Sequence, residues 1–266
     1  MPRKSKIADL VMQVEQALQI LGREDITFSP RDRASLEEMV TRFQAAVRKA
    51  DPVRQPEAIF DPSDPDLLGR IAALAVVAQE RHDLESLKAF YGSGVYAIYY
   101  NGAHPAYVEV AETETPLYVG KADPEKPKAL TPKEQGPKLF KRLREHARSI
   151  RRAENLDVAD FQCRFLVVQS GWESAAEKHL IQLFRPVWNN EIKICFGIGK
   201  HGDDDETRDN GRSPWDTLHP GRPWATNEPQ KSVEQIEEEI ASHFREMPPF
   251  REQSDVISHF IAGLRQ

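Results

Sequence analysis

Between Lys138 and Arg152 the chain sets seven basic side chains against one acid, Glu145: Lys138, Lys141, Arg142, Arg144, Arg148, Arg151 and Arg152. The protein as a whole is acidic, with a formal net charge of −6 and a pI of about 5.8. Solubility does not require a local field of one sign, and such a field usually meets an oppositely charged partner. Nucleic-acid phosphate is the commonest such partner, because basic clusters grip it by releasing its counterions. A solvated helix with ordinary surface arginines is the plain alternative, and the near absence of acids in the run weakens it. Arg142 and His146 are four apart, so on a helix they share a face. A guanidinium fork there would stand beside a side chain able to move protons near neutral pH.

The elements that must position these groups can be read from periodicity. Leu139, Leu143, Ala147 and Ile150 form one helical stripe that should face a core, with Arg142 and His146 on one shoulder and Arg144, Arg148 and Arg151 on the other. GVYAIYY (94–100), PLYVGKA (116–122) and DFQCRFLVV (160–168) are β-branched and aromatic and predict strands. AYVEVA (106–111) could be a further short strand. The segment DPEKPKALTPKEQGP holds four prolines and predicts a loop. WESAAEKHLIQLF predicts a helix stopped by Pro186. On the N-terminal side, apolar residues at 7, 10, 11, 14, 18 and 21 have helical spacing. Two further helical stretches follow, ASLEEMVTRFQAAVRKA and LLGRIAALAVVAQERHDLESLKAF, the latter broken near His82-Asp83. From Ile198 the chain turns polar, with Trp215 and Trp224 arguing that part of this tail docks, and it ends in two short amphipathic helices. The resulting division is an N-terminal helical region (1–90), a strand-strand-helix-strand-helix unit (91–200) and a C-terminal loop and helical extension (201–266).

Composition excludes several classes. Hydrophobic residues make up 39% and charged residues 29% of the chain, enough for a buried core but with exposed helices or loose segments beside it. No run approaches the roughly 18 apolar residues of a membrane span. No apolar signal-peptide core follows MPRKSKIADL, and the two cysteines, Cys163 and Cys195, fit neither a disulfide framework nor a zinc spacing. A cytoplasmic location without membrane attachment is therefore expected. The acidic run Asp203-Asp204-Asp205-Glu206 reads as solvated loop rather than metal site. His179 reads as a surface residue.

GVY at 94–96 and YVG at 118–120, followed by a helix with Arg142 and His146, a helix with Glu177 and then Asn189, form an ordered set that resembles the GIY-YIG nuclease superfamily. Val95 and Val119 stand where that family usually has Ile. The neighbouring words FYGSGVYAIYY, LFKRLREHARSI, EKHLIQLFRPVWN and SPWDTLHPGRPWA are similar to its type II restriction endonuclease branch that cuts the palindrome CCGCGG. The resemblance spans roughly residues 91–200. The 22 residues from Tyr96 to Tyr118 make a longer interval than in compact members.

The resemblance implies an α+β fold, a small antiparallel sheet with a three-stranded core flanked by helices, with added helices at both ends. It implies a site-specific endodeoxyribonuclease dependent on Mg²⁺, with Mn²⁺ able to substitute. Glu177 would hold the metal. Tyr96 and Tyr118 would lie in the active site, with Tyr96 as general base, or with His146 taking the proton directly or relaying it. A phenol with an ordinary pKa near 10 is a poor base at neutral pH, so cations at Lys121, Arg142 and His146 would have to lower that value. Arg142 would bind the scissile phosphate, and Asn189 would contact phosphate or orient the site. Lys138, Lys141, Arg144, Arg148 and Arg151 would grip double-stranded DNA. A palindromic target implies a homodimer, with a tetramer as the larger option, and a cognate DNA methyltransferase as functional partner. Other GIY-YIG nucleases of repair or mobile elements, or a non-catalytic DNA-binding relative, are the competing readings.

Overall fold

The structure is a computed structural model that describes residues 6–23, 27–51, 53, 61, 64–199 and 212–263. The chain divides into two compact units, Met1–Ile59 and Phe60–Gln266. The first holds α1 (Lys6–Leu21) and α2 (Pro30–Ala50). Helix α2 starts on a capping box in which Ser29 and Asp32 satisfy each other's backbone amides, with Pro30 just inside the start.

The second unit is built on a four-stranded antiparallel sheet in the order β1 (His82–Asp83), β4 (Phe161–Val167), β2 (Gly94–Tyr100), β3 (Tyr118–Ala122). All seven residues of β2 are buried, because helices cover both faces. Tyr96, Ile98 and Tyr100 share one face with Leu139, Leu143, Ala147 and Ile150 of α5 (Lys138–Arg152). The expected stripe is fully buried, each of its large members contributing on the order of 2 kcal/mol. Val95, Ala97, Tyr99 and Val119 face the other way, onto α3 (Pro65–Val77) and α6 (Glu173–Phe184). Between β3 and α5 lies the short helix α4 (Pro132–Gln135), and after α6 come α7 (Pro214–Leu218), α8 (Val233–Glu246) and α9 (Gln253–Ala262).

The α+β class with a small antiparallel sheet is as the sequence predicts. Several local expectations change. The third helical stretch ends at Val77. Beyond it the Leu84 amide donates to the Phe161 carbonyl and His82 pairs with Cys163, so the chain leaves helix to add an edge strand. AYVEVA forms no strand: Pro105–Tyr107 is a 3-10 turn capped by His104, and Tyr107 is drawn into the core by the Trp188 indole at 2.8 Å. The proline-rich segment includes α4, since Pro132 follows the Thr131 cap, where a missing amide costs nothing. His179 is buried, its Nε2 3.2 Å from the Asp66 carboxylate. Asp203-Asp204-Asp205-Glu206 lies outside the described residues.

Candidate active site

Strand register brings the two tyrosine motifs together. Tyr96 pairs with Gly120, and Ile98 with Tyr118. Directly paired residues and residues two apart share a face, so both phenols point to the α5 side. Their ring centroids are 6.1 Å apart. The Tyr96 ring lies over Gly120, where a Cβ would meet its hydroxyl at 2.4 Å. Gly120→Ala is therefore expected to displace the phenol and slow any chemistry it serves by about a hundredfold, the scale of a 1 Å misplacement. Activity of that variant at the wild-type rate would detach the position of Tyr96 from catalysis.

Helix α5 supplies the next groups. His146 is fully buried, and its Nε2 is 2.7 Å from the Tyr96 hydroxyl. Its ring centroid is 4.8 Å from that of Tyr118. Arg142, one turn earlier, is 30% exposed and pairs with Glu145 at 2.9 Å. Burial works against its charge. The phenols of Tyr96 and Tyr118 and the bond to Glu145 outweigh burial and hold its pKa above the ordinary arginine value.

The phenols do not titrate as the sequence reading requires. Burial raises Tyr96 well above the usual phenol range, with Tyr118 adding to the rise, and the opposing pull of Arg142 is the smaller effect. Burial also raises Tyr118, again against Arg142. The cation expected at Lys121 is placed elsewhere: its Nζ holds Asp123 at 2.6 and 2.7 Å, and its charge acts on Glu177. The site thus keeps both phenols protonated at neutral pH rather than ready-ionised.

Glu177 projects from α6 beside the β3 edge. Burial pushes its carboxyl up to about 7; Lys121 lowers it, and Glu191 and Asp123 raise it further. Asn189 secures that edge. Its Oδ1 accepts from the Val119 amide at 2.9 Å and its Nδ2 donates to the Val119 carbonyl at 2.8 Å. The side-chain amide completes the ladder of an edge strand and ties Asn189 to β3.

Tyr118, Arg142, Glu177, Asn189, Glu191 and residues 197–199 line one cleft of about 250 Å³. Tyr96 and His146 stand behind Tyr118, fully buried. Among the described residues no three His, Cys, Asp or Glu side chains gather as a metal cage. A carboxylate or two at a cleft suits an ion that keeps its waters and takes substrate oxygens, as Mg²⁺ does. Glu191 and the turn at 197–199 escaped the sequence reading. The spacing of Glu191, two residues after Asn189, was the available signal.

Among the proposed DNA contacts on α5, Lys141 and Arg148 are exposed and Lys138 is half-buried. Arg144 donates to the Glu85 carbonyl at 3.2 Å and Arg151 reaches the Glu85 carboxylate at 3.4 Å. Both contacts are at the surface, where such pairs contribute little. Arg152 lies over the Trp224 ring at 4.9 Å.

A sequence model of one family, described as the Eco29kI GIY-YIG domain, matches residues 88–244, more than half of the chain. No curated protein matches.

Proposed function

The chain belongs to the Eco29kI GIY-YIG domain family of restriction endonucleases, and from that premise we propose that it is a type II, site-specific, Mg²⁺-dependent endodeoxyribonuclease. The observation that carries this reading is one cleft lined by Tyr118, Arg142 and Glu177, with the Tyr96–His146 pair behind it. Residues 91–200 are the catalytic unit, and the regions 1–90 and 201–266 are additions to it.

In this reading Glu177 would hold the metal. When bound, the ion neutralises charge that accumulates on the phosphate and on the departing oxygen. Arg142 holds non-bridging oxygens of the scissile phosphodiester with a fork that stays charged throughout. Water attacks phosphorus in line with the 3′ oxygen; its oxygen bonds to phosphorus as the bond to the 3′ oxygen breaks, without a covalent enzyme intermediate, and the departing 3′ alkoxide takes a proton from solvent water. The water's proton enters the phenol pair. Because burial keeps the Tyr96 hydroxyl protonated, Tyr96 acts as a relay, passing its own proton to His146 Nε2 as it receives one. Mn²⁺ substitutes for Mg²⁺ at a single-carboxylate site of this kind.

A target resembling CCGCGG is two-fold, which a homodimer matches, each subunit cutting one strand. Reading G·C pairs calls for Arg or Lys in the major groove. The segment 123–137, with Lys126 and Lys128 exposed, and the segment 198–225 are placed here as the readers. A cognate methyltransferase would protect the same site on the host's own DNA. No helix among the described residues is long and apolar enough to cross a membrane, and we place the enzyme in the cytoplasm. Lys138, Lys141, Arg144, Arg148 and Arg151 grip the flanking backbone, so DNA binding should weaken steeply from low to physiological salt. A flat response, measured by fluorescence anisotropy, would remove these residues from the interface.

Digestion of DNA of known sequence, with the cut ends mapped, tests the whole reading. Ends confined to one G·C palindrome support it. Cuts scattered without regard to sequence would contradict site specificity.

A further inference from the structure

Gly197, Ile198 and Gly199 make one wall of the cleft. Ile198 and Gly199 form a turn, and that turn is held from behind. The buried Arg222 guanidinium donates to the Gly197 carbonyl at 2.9 Å and to the Ile198 carbonyl at 2.9 Å. Asp216 neutralises it at 2.5 and 2.7 Å and is itself held by the Ser213 hydroxyl at 2.5 Å. A charge pair so deeply buried is costly unless its geometry is good and its other valences are satisfied, and here it fixes the orientation of two consecutive peptide planes.

Every peptide unit here is trans, so each N–H points opposite to its carbonyl. Two successive carbonyls converging on Arg222 therefore turn the N–H groups of Ile198 and Gly199 away from it. Arg222 does not line the cleft, whereas Ile198 and Gly199 do. Ile198 has no exposed surface whereas Gly199 is partly exposed, so the Gly199 amide is the one open to the cleft; among the described residues it has no hydrogen-bond acceptor. Arg142 independently marks the same space: a Cβ at Gly199 would lie 3.2 Å from its Nη2.

We infer that the Gly199 amide is a second phosphate-binding element, which receives a non-bridging oxygen of the phosphodiester held by Arg142. The inference deepens the nuclease reading and rests on it for the identity of the ligand. Asp216 and Arg222 are positioning residues for this wall, and Gly199 brings backbone rather than side chain against the guanidinium.

The test is a titration of the full chain, labelled with ¹⁵N at glycine, with inorganic phosphate in the absence of metal. The Gly199 amide resonance should move saturably while that of Gly102, outside the cleft, stays fixed. If it does not move in a protein that cleaves plasmid DNA with Mg²⁺, the element does not exist. If it moves but the protein cleaves no DNA with any divalent ion, the anion site stands and the nuclease reading fails. Gly199→Pro, which lacks the donor, gives a second measure. At saturating plasmid DNA its kcat should fall about a hundredfold, the scale of removing one oxyanion donor, with KM changed far less. Wild-type turnover in that variant would overturn the inference.

Discussion

Glu177→Gln is expected to abolish DNA cleavage and, at pH 8, to raise the thermal midpoint of the metal-free protein. In the proposed reading Glu177 is the carboxylate that holds the metal, and the first effect follows from its loss. Charge stabilisation by such an ion is worth several kcal/mol, so turnover should drop by on the order of a thousandfold or more. The second follows from linkage. The Glu177 pKa is raised from 4.5 to about 7 by burial. Between those values the folded protein binds more protons at this site than the unfolded chain does, so stability falls as pH rises through that window and stays low above it. A neutral amide removes the penalty. Mg²⁺ should relieve it in the wild type too, raising the midpoint at pH 8 but not in Glu177→Gln. Cleavage by the wild type should climb from pH 6 to pH 8 as the carboxylate ionises, with the metal drawing the transition to lower pH. A midpoint that drops in Glu177→Gln would mean the carboxylate is a structural partner rather than a strained functional group.

Arg142→Ala should reduce turnover at saturating DNA by roughly a hundredfold to a thousandfold, the range for losing a fixed donor at a developing charge. Arg151→Ala should leave turnover near that of the wild type and reduce the slope of log affinity against log salt by about one contact. The two arginines share a helix and a charge, and only environment separates them. Arg142 stands at the cleft against the half-buried Tyr118 phenol and the fully buried Tyr96 phenol. Arg151 is at the surface, 3.4 Å from Glu85. Equal effects of the two substitutions on kcat would reduce Arg142 to a generic backbone contact.

The framework of this site was legible because it rests on local pattern. β-branched and aromatic runs mark β2, β3 and β4, and the stripe from Leu139 to Ile150 fixes which way α5 faces. Once those elements are set, the register of Tyr96 with Gly120 and the turn of helix from Arg142 to His146 place the phenols, the imidazole and the guanidinium together. The two-residue strand at His82–Asp83 was not legible, because its pairing with β4 is set by tertiary contact after a sequence that reads as helix. The same holds for the wall at 197–199, whose shape depends on Arg222, far along a polar tail. The titration of Tyr96 was misjudged for a related reason. The motif set shows which cations share the site with the phenol, but not that the phenol is wholly buried, and burial outweighs Arg142.

Incubating supercoiled plasmid DNA with the purified chain, with Mg²⁺ and with EDTA, tests the central claim most directly. The account predicts conversion to nicked and linear DNA with Mg²⁺ and intact supercoil in EDTA. Equal cutting in EDTA, or DNA bound but never cut with any divalent ion, would contradict it.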